Sequence, residues 1–515
     1  MLTKQGLAAM SAVEMAAGFA DRTLSPVEVH DAVQSVIEAR ESVLNAFWVR
    51  DPDESRKAAL ASEARWAAGE PLGPLDGVPV TLKENVARRG VPMPSGNAGT
   101  EPVVPETDAP ITARVLESGG VILGSTVMPD WGMLSSGVSS RHGISRSPWN
   151  PDWTTGGSSS GAGTAAAGGY GPLHVGTDIG GSIRLPGTWL GLATLKPSYG
   201  RIPLDTPYLG RAAGPMTRTV ADAALFMGVL SQPDSRDWTS LPPEDIDWSA
   251  LDGEVRGLRV GVHLDAGCGE PCDAEILAAV NRAAAVFEAA GAVVEPVGPF
   301  MTQELLDDLD LFWRVRSWND FRALEPEAGL RVHPHIVRWC QGGADVPGAR
   351  VLQCYQQIMR IQARTVAATL PYDLMLSPVA PVAAFAAEQP MPFPGDEKTM
   401  AHIGFTAPYN MSGQPAATVN CGFTADRRPI GVQIAGRRFD DLGVLRAAAW
   451  YERNRPAEAV PRWPDEADGA PTGERTTSTT PEGGSLERRG TVPAGLSGTA
   501  LPAHRRADRA GDRAR

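Results

Sequence analysis

The sequence predicts an α/β fold, and three observations support this prediction. Residues 255–297 contain a strand pattern (VRGLRVGVHL), a helix pattern (DAEILAAVNRAAAVFEAAG) and a second strand pattern (AVVEPV), in the order typical of α/β proteins. Apolar runs within residues 74–86 and 372–382 predict buried strands. Residues 416–436 predict a hairpin that turns at Ala425–Arg428. Helical patterns separate these segments, so we expect helices packed on a β-sheet.

The N-terminal half begins with a helical segment. We predict helices over residues 10–47, because Ser25 is a good cap before a first-turn proline and the next apolar residues recur at helical spacing, namely Val29, Val33, Val36 and Ile37. The segment PLDGVPVTLKENV at residues 74–86 is a turn followed by a short strand that carries Lys83. Residues 121–133 form a buried strand that leaves the core into a loop.

The C-terminal half alternates in the same way. Residues 202–256 contain a proline-rich loop, a helix opened by Thr219, and a polar connector. Gly291 lies where a glycine that ends a helix belongs. We predict mostly helix over residues 300–370 and a last amphipathic helix at about 440–453.

We expect one domain over residues 1–464. Within it we distinguish an N-terminal helical part at about 1–65, a peripheral βα insertion at about 205–300, and the helical region 300–370. Residues 465–515 lack aromatic residues and isoleucine, so they cannot bury enough apolar surface to order themselves. They predict a disordered tail, whose basic end is better explained as solvated than as a contact for nucleic acid or membrane.

The amino-acid composition argues against several classes of function. Hydrophobic residues make up 42% and charged residues 21% of the 515 residues, and the net charge of -13 argues against a nucleic-acid partner. The first residues lack the pattern of a signal peptide, so we expect none, and we expect no membrane span because no apolar run is long enough. Five scattered cysteines predict reduced thiols in a cytoplasmic protein, although Cys268 and Cys272 lie close enough in sequence to pair or to bind a metal. We expect no metal site.

The stretch that carries chemistry covers residues 154–203, which are rich in glycine and serine. It contains neither a Gly-Lys-Ser/Thr sequence nor a dinucleotide fingerprint, so it does not predict a phosphate loop. Residues 157–161 match the Gly-x-Ser-x-Gly pattern of an α/β-hydrolase nucleophile. That pattern requires a preceding strand, whereas NPDWTTG is a loop sequence, so we reject it.

Ser182 is the candidate nucleophile. It follows two glycines in GTDIGGSIRLP, where the backbone N–H groups of four consecutive residues could converge on an oxyanion: Ile179, Gly180, Gly181 and Ser182. Asp178 and Arg184 flank this turn and are predicted to pair in a structural role.

Lys83 is the candidate base, because none of the eight histidines lies in a catalytic-looking context. It follows the apolar strand GVPVTL and would point into the interior, where burial lowers the pKa of a lysine towards neutrality. Any single lysine at a strand end is more often a surface residue, so this assignment depends on its combination with the serines.

Three segments resemble the defining motifs of the amidase signature family: PLDGVPVTLKENV, TTGGSSSGAGTAAAG and GTDIGGSIRLPGTWLGLATLKPSYGRIP. Lys83 precedes Ser158 by 75 positions and Ser158 precedes Ser182 by 24, as in members of that family. The resemblance also includes NAFWVRD, SRSPWNPDWTTGG, GPMTRTVADAALFMGVL and FTAPYNMSGQPAATVNCGFTADRRPIGVQIAG. It ends at about residue 464.

The resemblance implies a large central mixed β-sheet covered by helices on both faces, and a Ser-cisSer-Lys triad that needs no cofactor. By this analogy Ser182 attacks the amide of a small-molecule substrate. Ser158, after a cis peptide bond, relays the proton to Lys83, and Ser159 hydrogen-bonds Lys83. Water then hydrolyses the acyl-enzyme, so the products are a carboxylate and ammonia or an amine.

Two positions depart from the family pattern. Ser160 replaces a glycine, which would strain the loop if positive φ were required there, and Thr155 stands where proline is common. By analogy, Trp131, Met133 and Tyr409 line the substrate site, or else they belong to the core. The substrate itself is left open, although the aromatic and apolar content of residues 125–140, 300–370 and 383–410 hints at an apolar or aromatic acyl group.

Two other functions remain as alternatives. The glutaminase subunit of a tRNA-dependent amidotransferase resembles this chain and shares the triad, but MPDWGMLSSGVS differs from the Asp-Glu-Phe-Ala-Met-Gly-Ser pattern of that protein. The other alternative is a catalytically silent binding protein on the same fold, against which the retained triad residues argue. A homodimer is compatible with the sequence.

Overall fold

The computed structural model of the protein describes residues 3–464. The tail predicted for residues 465–515 lies outside the described residues. The helices are α1 Lys4–Ala8, α2 Ala12–Ala20, α3 Pro26–Leu44, α4 Pro52–Ala68, α5 Pro110–Glu117, α6 Ser160–Gly168, α7 Arg184–Leu190, α8 Val220–Leu230, α9 Ala274–Ala289, α10 Gln303–Phe321, α11 Pro326–Gly329, α12 Pro334–Gln341, α13 Gly348–Thr369, α14 Ala407–Met411 and α15 Asp441–Asn454.

The strands are β1 Phe47–Arg50, β2 Pro79–Lys83, β3 Val121–Thr126, β4 Val138–Ser139, β5 Gly143–Ile144, β6 Leu173–Asp178, β7 Ala193–Lys196, β8 Ala212–Thr217, β9 Arg259–Val262, β10 Val293–Pro296, β11 Leu374–Pro378, β12 Ala416–Phe423 and β13 Pro429–Gly436. Eleven of them form one sheet in the order β1-β3-β2-β6-β8-β7-β12-β13-β11-β9-β10, and β4 pairs with β5. Parallel pairs lie towards both ends of this sheet and antiparallel pairs in its middle, and the edge strand β1 pairs antiparallel with β3. The predicted mixed sheet is therefore confirmed.

Most predicted elements are present. The unit at residues 255–297 forms β9, α9 and β10, and its two strands pair in parallel. The predicted hairpin is β12 and β13. Thr219 caps α8 by accepting a hydrogen bond from the Asp222 N–H at 3.1 Å, and Gly291 follows α9 with φ +94°.

Six strands, namely β1 and β4 to β8, were not predicted from the sequence. β1 begins inside the segment predicted as helix, and β8 lies in the segment predicted as a proline-rich loop. The sequence of β8, AAGPMT, contains glycine and proline, which are poor strand formers. All six residues of β8 are buried, and its place between β6 and β7 outweighs this local preference, so pairing rather than propensity makes it a strand.

The fold places the ends of β2 and β6 and the N-terminal loop of α6 at the same edge of the sheet. In β2, Val80 and Leu82 belong to the main apolar core, and the alternation of side chains along a strand directs Thr81 and Lys83 to the opposite face. β2 and β6 are parallel neighbours, so Lys83 and Asp178 end their strands at the same edge of the sheet. α6 begins just before β6 and packs on it, which places its N-terminal loop at that edge as well.

The helices and the cysteines bear on two questions raised by composition, a membrane span and a disulfide. Across residues 3–464, no helix combines the length and apolar character needed to cross a membrane. Cys268 and Cys272 are free thiols, so the two do not form the disulfide that their spacing allowed.

Candidate active site

Lys83 and two serines meet in the interior. The Lys83 ammonium nitrogen Nζ lies 2.8 Å from Ser158 Oγ and 3.1 Å from Ser159 Oγ, and Lys83 has no exposed surface. Ser159 Oγ also donates to the Thr177 carbonyl at 3.1 Å, while the Ser159 N–H donates to the Ser182 carbonyl at 3.2 Å. Ser159 therefore links the lysine to the end of β6 and to the turn that carries Ser182.

Burial of Lys83 has a chemical consequence. It lowers the pKa of the Lys83 amine well below its usual value of 10.5, and the positive charge of Arg211 lowers this pKa further, whereas Asp178 and Glu84 oppose the shift. A neutral amine within hydrogen-bond distance of a hydroxyl is able to accept its proton.

The loop that holds Ser158 is tightly enclosed. The Gly157–Ser158 peptide bond is cis, in agreement with the family resemblance. A Cβ atom on Gly157 would lie 2.5 Å from the Ser136 carbonyl oxygen and 2.6 Å from that of Leu134, so only glycine fits there. The absence of a side chain at Gly157 therefore allows this loop to approach the backbone of residues 134–136 closely.

Ser160 does not introduce the strain that its replacement of glycine suggested. It is the first residue of α6 and is not among the residues with positive φ. Its hydroxyl donates to the Val127 carbonyl at 3.2 Å. Thr155 forms a hydrogen bond of 2.6 Å with Thr164, so both departures from the family pattern are accommodated by side-chain hydrogen bonds.

The turn before Ser182 differs from the prediction at one residue. Gly181 has φ +130°, which a residue with a side chain rarely adopts, and its N–H donates to Asp178 Oδ1 at 2.8 Å. That N–H is therefore already engaged and does not point to an oxyanion. The N–H groups of Ile179, Gly180 and Ser182 donate to no acceptor among residues 3–464, so three of the four predicted donors are available.

Asp178 and Arg184 form the predicted pair, and they do so inside a larger polar cluster. Both side chains are fully buried, and Arg184 Nη2 lies 2.9 Å from Asp178 Oδ1. Arg184 also donates to Gln433 at 2.8 Å and to Asn410 at 2.6 Å. Burial alone would raise the pKa of Asp178, but the charge and hydrogen bonds of Arg184 hold this pKa below its ordinary value. The carboxylate can thus hold the Gly181 and Ile183 N–H groups in place.

Replacing Arg184 by methionine is expected to destabilise the fold by about 3–5 kcal/mol, because it leaves the buried Asp178 carboxylate without its cation. The free energy of unfolding, measured by urea denaturation, tests this. Arg56→Met is the matched control, since its pair with Asp31 is exposed and should contribute under ~1 kcal/mol. Equal losses in both variants would contradict the structural role of the Asp178–Arg184 pair.

A cavity of about 410 Å³ opens beside these groups. Ser158 and Ser182 line it, as do the predicted substrate residues Trp131 and Met133. Tyr409 does not line it and is a correction to the prediction. This residue lies on α14 with no exposed surface and packs with a small apolar cluster formed by Met375, Ala416 and Ala435.

The sequence reasoning did not identify several residues on the cavity wall. Arg211, Arg316 and Tyr208 line it, and no motif contains them. Tyr208 and Arg211 belong to the loop before β8, while Arg316 comes from α10, more than 100 positions away. Arginines in loops and on helices usually face solvent, so no local signal marked these two.

The described residues do not suggest a metal centre. Within residues 3–464, no group of three or more His, Cys, Asp or Glu side chains could hold an ion. The polar groups beside the cavity are serine hydroxyls, backbone N–H groups and a buried amine, and this set is suited to acyl transfer without a further group.

Comparison with known proteins finds relatives that match most of the chain. A family model described as Amidase matches residues 28–445. The chain is 33% identical to an acylamidase of Rhodococcus erythropolis over 466 residues, which cover 88% of this chain and 97% of that protein. It is 34% identical to a glutamyl-tRNA(Gln) amidotransferase subunit of Myxococcus xanthus, with 86% and 97% covered.

Among solved structures, the fold is similar to that of a bacterial aryl acylamidase described as belonging to the amidase signature enzymes. The TM-score is 0.80 at 30% identity, and the match covers 87% of this chain and 96% of that one. A 6-aminohexanoate cyclic dimer hydrolase in complex with its substrate matches with a TM-score of 0.77 at 25% identity, covering 89% and 99%.

Proposed function

The chain belongs to the amidase signature family, and from this premise we propose that it hydrolyses a non-peptide linear amide to a carboxylate and ammonia or an amine. The observation that carries the proposal is the contact of 2.8 Å between Lys83 Nζ and Ser158 Oγ, on the wall of the cavity that Ser182 also lines. This contact supports a Ser182–Ser158–Lys83 triad.

In the proposed reaction, Ser182 Oγ attacks the amide carbon while its proton passes to Ser158, whose own hydroxyl proton moves to Lys83 Nζ. The carbonyl oxygen becomes an oxyanion next to the N–H groups of Ile179, Gly180 and Ser182. As the C–N bond breaks, the proton returns through Ser158 to the departing nitrogen, because an amine leaves poorly as an anion.

The acyl-enzyme is then resolved by water. Lys83, neutral again, accepts a proton from water through Ser158, and the hydroxide attacks the ester carbon of acylated Ser182. As the second tetrahedral intermediate collapses, the C–O bond to Ser182 breaks, and the proton returns from Lys83 through Ser158 to Ser182 Oγ, which releases the carboxylate and restores the Ser182 hydroxyl and the neutral amine. No cofactor takes part in this proposal.

We also propose a cytoplasmic location for the protein. Free thiols at all five cysteines support this location.

The second candidate function is that of the glutaminase component of a tRNA-dependent amidotransferase. The chain is 34% identical to such an amidotransferase protein and 33% identical to an acylamidase. Because the two values are similar, sequence identity supports both candidate functions. That function requires glutamine as substrate and a partner that receives ammonia. The single-chain amidase requires neither.

We expect the purified chain alone to hydrolyse at least one simple aliphatic amide, aryl amide, anilide or urea with a kcat/KM at least about tenfold above that for glutamine. The assay measures released ammonia or amine for each compound on the same preparation. Glutamine as the best substrate would support the glutaminase alternative instead. No turnover of any compound would support the silent binding protein.

A further inference from the structure

The cavity beside Ser182 carries two arginines that the proposed mechanism does not use. Arg211 precedes β8 and Arg316 lies on α10, and both side chains are half-buried on the cavity wall. Arg211 lies close enough to the triad for its charge to lower the pKa of Lys83. A substrate bound in this cavity therefore lies near two guanidinium groups.

Neither arginine forms an ion pair with a carboxylate within residues 3–464. The Arg211 side chain donates only to the Thr206 carbonyl, at 3.4 Å. Arg316 Nη2 lies 2.8 Å from Met133 Sδ, and its guanidinium lies 5.1 Å from the centre of the Tyr208 ring. A thioether is a weak acceptor, so most of the N–H donors of both groups have no strong protein acceptor within residues 3–464.

The two arginines contact the same residue, since the Arg211 backbone N–H donates to the Tyr208 carbonyl at 2.9 Å and the Arg316 guanidinium lies over the Tyr208 ring. Burial lowers the pKa of Arg211, and the charge of Arg316 lowers it further. Two like charges on a partly buried wall repel each other, and a bound anion would relieve this repulsion. By contrast, the positive charge of Arg184 in the same region is neutralised by its ion pair with Asp178.

The acidic groups on the same wall do not cancel this charge. Asp178 is paired with Arg184, while Asp205 and Asp320 are exposed to solvent. Asp320 lies one helical turn after Arg316. Burial raises the pKa of Asp320 and the charge of Arg316 opposes this shift, so the two charges interact, but no ion pair joins them among the described residues. Water screens exposed charges more strongly than half-buried ones, so the inner part of the cavity favours an anion over a cation.

We propose that Arg211 and Arg316 form a subsite for a carboxylate, so that the amide substrate carries an anionic group next to the bond that is cleaved. The planar guanidinium fork matches the two oxygens of a carboxylate, and two forks from different elements would fix its position. This inference rests on the proposed function, because it places the substrate amide at Ser182.

The first experiment compares matched amides on the wild-type protein. Succinamate and butyramide differ by a carboxylate on the acyl side, and 4-acetamidobenzoate and acetanilide differ by one on the amine side. We expect kcat/KM to be about tenfold to a hundredfold higher for the carboxylate of at least one pair, the range typical of a charge-assisted hydrogen bond. Equal values within both pairs would overturn the subsite while leaving the amidase proposal intact.

The second experiment changes the arginines. Arg211→Gln and Arg316→Gln should each lower the carboxylate preference within the favoured pair by about tenfold. The preference is the correct readout, because Arg211 also influences Lys83 and a change in overall rate would not be specific. Arg322→Gln is the control, since Arg322 is exposed at the end of α10 and bonds only Asn319. It should retain the wild-type preference, and loss of preference in this control would overturn the assignment.

A binding measurement separates the two proposals. Calorimetric titration of Ser182→Ala with succinamate, butyramide, 4-acetamidobenzoate and acetanilide reads the subsite without turnover. Tighter binding of a carboxylate than of its matched neutral amide, lost on adding Arg211→Gln, supports the subsite even if no amide is hydrolysed. Failure of both carboxylates to bind more tightly than their matched neutral amides would overturn it, whatever the outcome of the activity assays.

Discussion

Replacing Ser182 by alanine is expected to lower kcat for amide hydrolysis by about 10⁴- to 10⁶-fold, the scale observed when a serine nucleophile is removed. The variant retains the N–H groups near the oxyanion position and the cavity, but no acyl-enzyme can form. Steady-state kinetics on the best amide from the substrate panel measures this effect. Turnover at the wild-type level would contradict the proposed mechanism.

A covalent readout makes the test of Ser182 independent of the substrate. A fluorophosphonate probe reacts with activated serine hydroxyls, and mass spectrometry of peptides locates the modified residue. We expect modification at Ser182 in the wild-type protein and none in Ser182→Ala. Ser235→Ala, which removes the hydroxyl of an exposed serine, is the control and should be labelled like the wild type.

Replacing Lys83 by methionine is expected to lower amide hydrolysis by about 10²- to 10⁴-fold, the usual contribution of a general base and acid. Hydrolysis of an ester with the same acyl group should fall less, because an alkoxide or phenoxide leaves with less need of a returned proton. The ratio of amide to ester kcat/KM measures the difference. Equal losses on both substrates would count against the role assigned to Lys83.

Lys83 should also affect how stability depends on pH. Its amine has a lowered pKa in the folded protein and the ordinary value of 10.5 when unfolded, so the unfolded chain binds more protons between these two values. The free energy of unfolding contributed by this group therefore rises with pH through that window. Lys83→Met should flatten this rise, whereas Lys57→Met, at an exposed lysine, should not.

The sequence already contained much of the fold. The period of apolar residues in α9, the caps at Thr219 and Gly291, and the turn between β12 and β13 are local features, and the structure confirms them. β8 could not be predicted in this way. Its glycine and proline disfavour a strand, and only pairing with β6 and β7 makes it one.

The sequence by itself also determined which residues are candidates for the chemistry. Lys83, Ser158 and Ser182 occur in long ordered motifs, where residue type and spacing are informative. Tertiary structure decided how they meet, since the parallel pairing of β2 with β6 brings Lys83 to the edge that holds the Ser182 turn.

Only the tertiary structure decided the surroundings of the candidate site. In the folded chain Tyr409 is buried in the core and the Gly181 N–H donates to Asp178. Arg211 and Arg316 line the same cavity. The physical reason is that burial, hydrogen-bond partners and the distance between charges depend on segments far apart in the chain. A local sequence pattern reports which groups are present, whereas folding determines which of them remain unpaired beside the reacting bond.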